Sequence, residues 1–118
     1  MVSLNEDDPV LAELVAREGL RIETTIDLIA SESHCPPSVM EALGSIFNTK
    51  TIEGYPGNRF HAGCVHADAV ENLAIERARA LFDAEAVNVQ PHSGSSANLA
   101  VYFSVLQPGE RILAMSLP

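Results

Sequence analysis

Apolar residues fall at helical spacing in four stretches of the chain. Val10, Leu11, Leu14 and Val15 form one stripe, while Glu13, Arg17 and Glu18 face outward. Asp8 is placed to be the N-cap and Pro9 fits the first helical position. The acids around them favour the positive end of the dipole, so a helix is predicted from there to about residue 18 or beyond. Gly19 interrupts the pattern, and residues 22–25 can continue it. After the polar loop Ser31-Glu32-Ser33, closed by Pro36-Pro37, residues 38–47 read as a second helix with Val39, Leu43, Ile46 and Phe47 on one side. Residues 68–82 give the clearest helix, with Val70, Leu73, Ala74, Ala78 and Leu81 inward and Glu71, Glu76, Arg77 and Arg79 largely outward. Leu99, Ala100, Tyr102, Phe103 and Leu106 make the fourth.

Period-two patterning appears twice. Val87 and Val89 alternate with polar neighbours as a short strand would, and residues 111–117 contain Ile112-Leu113-Ala114-Met115, apolar enough for burial on both faces. Helix, strand, helix, strand in this order implies a right-handed crossover and parallel pairing, hence an α/β architecture with its sheet left open at Pro118. Two stretches break the periodicity. Residues 51–63 carry Gly54, Pro56, Gly57 and Gly63 among Glu53, Tyr55, Asn58, Arg59, Phe60 and His61. They are too interrupted for a regular element and suit a functional loop. Between Val89 and the last helix lies Ser93-Gly94-Ser95-Ser96, where Gly94 admits close approach of a ligand and Ser95 or Ser96 can cap the helix. The free N–H groups of the first turn make an anion cradle suited to phosphate.

Composition narrows the partners. Seven basic against sixteen acidic residues in 118 give a formal charge of −9 with no basic block, which argues against nucleic acid and against an anionic membrane. A small molecule or another protein suits the chain better. Cys35 and Cys64 have no metal-type spacing and read as buried free thiols. His34, His61, His66 and His92 pair with no other ligand at metal spacing, so no metal is expected. Neither a leader sequence nor a spanning apolar run is apparent, and the cytoplasm is the expected compartment.

The segments Asp27-Leu28-Ile29-Ala30-Ser31-Glu32-Ser33, Glu53-Gly54-Tyr55-Pro56-Gly57-Asn58-Arg59, Gly63-Cys64 and Asn88-Val89-Gln90-Pro91-His92-Ser93-Gly94-Ser95 follow one another in the order and spacing of serine hydroxymethyltransferase. The chain resembles the N-terminal portion of that family from its first helix to Met115. The resemblance implies the N-terminal part of a fold-type I transferase dependent on pyridoxal 5'-phosphate. Residues 1–25 would be a helical arm and residues 26–118 a partial large domain holding the start of its sheet. It further implies one-carbon transfer between serine or glycine and tetrahydrofolate, or a related amino-acid aldol reaction, in an oligomer. Ser93, Gly94 and Ser95 match the family's phosphate-binding turn, and Ser31 and Tyr55 match residues near the amino-acid substrate. Glu53 matches the acidic residue that handles protons at the hydroxymethyl group and folate, on a loop that reaches into the neighbouring subunit's site. A carboxyl group suits that role because desolvation lets it hold a proton near neutral pH. A loop ion pair between Glu53 and Arg59 is the plainer reading of the same residue.

Departures accompany the match. Thr51, Phe60 and His61 stand where the family commonly has tyrosines, and Ser96 where it has glutamine. His61 takes the position of a catalytic tyrosine; it can donate or accept a proton, with a different reach. Lys50 is the sole lysine and does not match the Schiff-base motif, so the resemblance implies a lysine supplied by a second chain. Two alternatives stand beside the enzyme reading: a non-catalytic dimerisation or regulatory module, and a truncated inactive product.

Overall fold

Ser3 and Asp8 start the first two helices. The structure is a computed structural model that describes residues 3–116, and it divides into two units, Met1–Asn48 and Thr49–Pro118. In the first, α1 (Leu4–Asp7) is one turn whose Glu6 carboxylate accepts from both the N–H and the hydroxyl of Ser3, at 2.8 and 2.9 Å. α2 (Pro9–Thr24) begins where the Asp8 carboxylate accepts from the Leu11 N–H at 3.0 Å, as the sequence predicts. It passes through Gly19, and its exposed Arg17–Glu13 and Arg21–Glu18 pairs add little to stability. The stripe of Val10, Leu11, Leu14 and Val15 stays exposed.

Residues 25–36 are irregular, with a turn at 30–31 that confirms the expected loop. α3 (Pro37–Leu43) is shorter than the predicted 38–47. Gly44 ends it, Asn48 Nδ2 donates to the Leu43 carbonyl at 2.6 Å, and a 3-10 turn (Ile46–Thr49) follows. A carbonyl that helix continuation would have satisfied is taken by the asparagine side chain instead.

In the second unit, β1 (Gly54–Tyr55) and β2 (Asn58–Arg59) pair antiparallel, Gly54 opposite Arg59 and Tyr55 opposite Asn58. The expectation of no regular element in residues 51–63 is thereby corrected. Pro56 presets the first corner of the turn and Gly57, at φ +75°, supplies the left-handed second corner that the Pro-Gly pair is built for. α4 (Val65–Phe82) starts three residues before the predicted Asp68 and ends at Asp83 in the left-handed conformation, φ 49°. α5 (Gly94–Val105) is capped by Ser93, not by Ser95 or Ser96. The Ser93 hydroxyl accepts from the Ser96 N–H at 3.3 Å, while the Ser93 N–H donates to Ser96 Oγ at 3.0 Å. A turn at Gln107–Glu110 follows, with the Glu110 N–H donating to the Gln107 carbonyl at 3.1 Å.

The two predicted parallel strands do not form. Residues 86–89 and 111–116 carry no ladder, Leu117 lies outside the described residues, and the hairpin is the only sheet among the described residues. Period-two patterning records which faces are apolar, but a strand exists only where a neighbour satisfies its backbone, and none is present here. Apolar side chains such as Leu28, Phe103, Leu113 and Met115 remain exposed; only Cys64 and Ala67 are buried hydrophobics among the described residues. Cys35 is exposed, which corrects the expectation that both thiols are buried. No described helix is long and apolar enough to cross a membrane.

Candidate functional site

The hairpin is held by Arg59, whose side chain is only 4% exposed. Its Nε donates to Asp68 Oδ1 at 2.7 Å and its Nη2 to Glu71 Oε2, both on the first turns of α4. Asp68 and Glu71 are three residues apart and therefore share one face of the helix. The remaining nitrogen, Nη1, donates to the carbonyls of Ile52 (3.0 Å) and Gly54 (2.6 Å), the two residues that flank Glu53. The carbonyl of Glu53 itself accepts from the Phe60 N–H at 3.1 Å. Three consecutive carbonyls are thus tied down around a residue whose side chain is 71% exposed.

The electrostatics follow from the contacts. The Gly57 N–H, which donates to Asp68 Oδ2 at 3.0 Å, and then the Arg59 guanidinium hold the Asp68 carboxyl below its ordinary range. Glu71 first and Asp68 second push the Arg59 guanidinium further up. The plainer reading of Glu53 as a partner of Arg59 is overturned: Arg59 pairs with the helix carboxylates, and Glu53 Oε2 lies 3.6 Å from His61 Nε2. His61 is in turn steadied at its carbonyl, which faces the buried Cys64 Sγ at 3.2 Å.

Gln90 joins this cluster to the cradle. Its Nε2 donates to the Gly54 carbonyl at 2.9 Å and to Glu71 Oε1 at 2.7 Å, and its own N–H donates to Asn88 Oδ1 at 2.9 Å. Three residues later Ser93 opens α5. The N–H groups of Gly94 and Ser95 have no acceptor among the described residues, and a Cβ on Gly94 would meet nothing within 4 Å. The turn is an open set of donors at the positive end of a twelve-residue helix.

Of the sequence-predicted residues, Glu53, His61, Tyr55, Ser93, Gly94 and Ser95 all belong to the second unit. Glu53 and His61 are brought together directly, Tyr55 sits in β1 immediately after Gly54, and the Ser93–Ser95 turn is tied to the hairpin through Gln90. Ser31 belongs to the first unit, in the turn closed by the Glu32 N–H donating to the Ile29 carbonyl at 3.0 Å. Around it the neighbouring Asp27 and Glu32 carboxyls act on one another, which holds Asp27 below and Glu32 above the ordinary carboxylate range.

Sequence reasoning missed Arg59 as a clamp, Glu71 as its partner and Gln90 as the bridge. Glu71, assigned to the outward face of its helix, has a side chain only 11% exposed. The spacing of Asp68 and Glu71 on one helical face after a loop arginine was a usable signal; nothing local marked Gln90. No group of three or more potential metal ligands occurs among the described residues.

The family model described as serine hydroxymethyltransferase matches residues 4–118. The chain is 56% identical over 116 residues to serine hydroxymethyltransferase 1 of Pseudomonas fluorescens (strain Pf0-1), covering 98% of this chain and 28% of that protein. It is 58% identical over 114 residues to the serine hydroxymethyltransferase of Coprothermobacter proteolyticus, covering 97% of this chain and again 28% of the relative. With that of Acinetobacter baumannii it shares 53% identity over 116 residues. The chain therefore spans a little over a quarter of the length of these relatives, and it belongs to the serine hydroxymethyltransferase family.

Proposed function

We propose that this chain supplies the N-terminal part of a serine hydroxymethyltransferase-like enzyme of fold type I. Residues 1–25 act as a helical arm and residues 26–118 as the start of the large domain. The reaction is one-carbon transfer between serine or glycine and tetrahydrofolate, carried out in the cytoplasm by an oligomer. The match over residues 4–118 carries this reading.

The residues fit a pyridoxal 5'-phosphate ester. The Gly94 and Ser95 N–H groups are free of acceptors among the described residues and the space over Gly94 is open, so a phosphate can approach the backbone. Ser93 accepts the Ser96 N–H at its hydroxyl oxygen and so holds the turn in shape, while its own O–H, with Ser95 and the backbone N–H groups, is a donor for the phosphate. When bound, the cofactor supplies an electron sink for the substrate α-carbon. Lys50, whose Nζ donates to the Thr51 carbonyl at 2.7 Å, does not stand in the family's Schiff-base motif, which supports a cofactor-anchoring lysine supplied by a second chain. Ser31 and Tyr55 present hydroxyls for the amino-acid substrate. Glu53 holds or moves a proton at the substrate hydroxyl and folate, with its backbone fixed by Arg59 and Phe60. His61, beside it, accepts or returns that proton where the family uses tyrosine.

The described residues leave Glu53 exposed, so the desolvation its role requires comes from a neighbouring chain or a further domain. The test is co-purification of this chain with a lysine-bearing C-terminal portion of the family, reading bound-cofactor absorbance and glycine formed from serine. A complex that binds cofactor and converts serine is the expected result. A complex that does neither overturns the reading.

A further inference from the structure

We propose that Gln90 is a positioning residue that makes the Glu53 loop and the Ser93–Ser95 turn one cooperative unit. The inference rests on the cofactor reading of that turn and adds how the turn is held in register with the proton-handling carboxylate.

The geometry is specific to a side-chain amide. One nitrogen, Nε2, donates both to the Gly54 carbonyl and to Glu71 Oε1, spending its two hydrogens on two different elements. The Gly54 carbonyl is shared with Arg59 Nη1, and Glu71 is shared with Arg59 Nη2, so Gln90 closes a ring through the guanidinium instead of hanging on its edge. On the other side Gln90 is followed by Pro91, whose fixed φ stiffens the link to His92 and Ser93. Thirty-six residues separate Gln90 from Gly54 in sequence. The backbone of residues 86–92 forms no ladder of its own, so this amide is what ties the approach to α5 to the hairpin. Segments joined in this way open together, and a ligand bound to one slows the opening of both.

Hydrogen exchange on the 118-residue chain tests this, read at the Phe60 amide, bonded to the Glu53 carbonyl, and at the Ala97 amide, bonded to the Ser93 carbonyl. Gln90→Met keeps the length of the side chain without its donors, and Gln90→Ala removes both. Faster exchange at Phe60 and Ala97 together in both variants, with the middle of α4 unchanged, is the expected result. Acceleration at one amide alone, at neither, or equal loss along α4 overturns the proposal, as does an unprotected Phe60 in the parent chain. Inorganic phosphate forms a separate arm. In the parent chain it slows both amides by the same factor, and in Gln90→Met it slows only Ala97. Phosphate that slows neither amide counts against the cofactor reading, while the phosphate-free comparison still decides the role of Gln90.

Discussion

Arg59 and Glu71 meet in the least exposed ion pair among the described residues, with side chains 4% and 11% exposed, although most of the large apolar residues described are open to solvent. Local order in the hairpin unit is therefore carried by a charged network that fixes backbone carbonyls, and the apolar faces are left for association. Such a network is sensitive to the loss of any one member, because the partners left behind are unsatisfied.

Acid should loosen the hairpin through Asp68. Its folded-state value is lowered by the Gly57 N–H and Arg59, so its contribution is present above the ordinary aspartate value near ~4 and is lost as pH falls through the lower folded value. Exchange at Gly57 and Phe60 should accelerate in that window. In Asp68→Asn this acid step should vanish, with weaker protection at all higher pH; an unchanged acid step in the variant would count against the assignment.

Gly54→Ala should disrupt the hairpin more than an ordinary glycine substitution. Gly54 sits at φ +98°, and a Cβ there would press into the Asn58 carbonyl oxygen of the facing strand. Left-handed strain alone costs about 1–2 kcal/mol, and the clash adds to it. Backbone chemical shifts of residues 53–60 report the outcome: retention of the parent pattern is the result that contradicts the argument.

Ser93→Ala should shorten α5 without touching α4. The cap it removes is worth about 1 kcal/mol, and Ser96 loses its reciprocal partner. The expected signature is lower helicity confined to residues 94–98, measured by carbon chemical shifts. Ser95→Ala, which leaves the cap intact, should keep that helicity and weaken phosphate binding.

Association follows from exposed surface. The chain exposes 10953 Å², whereas two independently folded halves of its mass would expose roughly 7,500 Å² in total. At ~25 cal/mol per Å² of apolar area, covering even part of the excess drives tight assembly. Light scattering should find oligomers, or a complex with a lysine-bearing partner that survives dilution. Leu14→Glu, on the exposed stripe of α2, should weaken either one. A well-folded monomer indifferent to the partner is the contrary result.

Sequence by itself determined the helices and the chemistry of their ends. Asp8 and Pro9 start α2, the apolar spacing marks α4 and α5, and Ser93-Gly94-Ser95 announces an open helix terminus, because capping and periodicity act within a few residues. The family segments were equally legible, since they are runs of sequence. Tertiary structure alone decided which carboxylate Arg59 takes. Glu53 is nearer in sequence, yet hairpin closure turns the guanidinium toward α4, where Asp68 and Glu71 share a face. It also decided that Gln90 bridges to Gly54 and that residues 86–89 and 111–116 stay unpaired. Strand pairing and long-range hydrogen bonds depend on what the fold places alongside, and no local pattern encodes the neighbour.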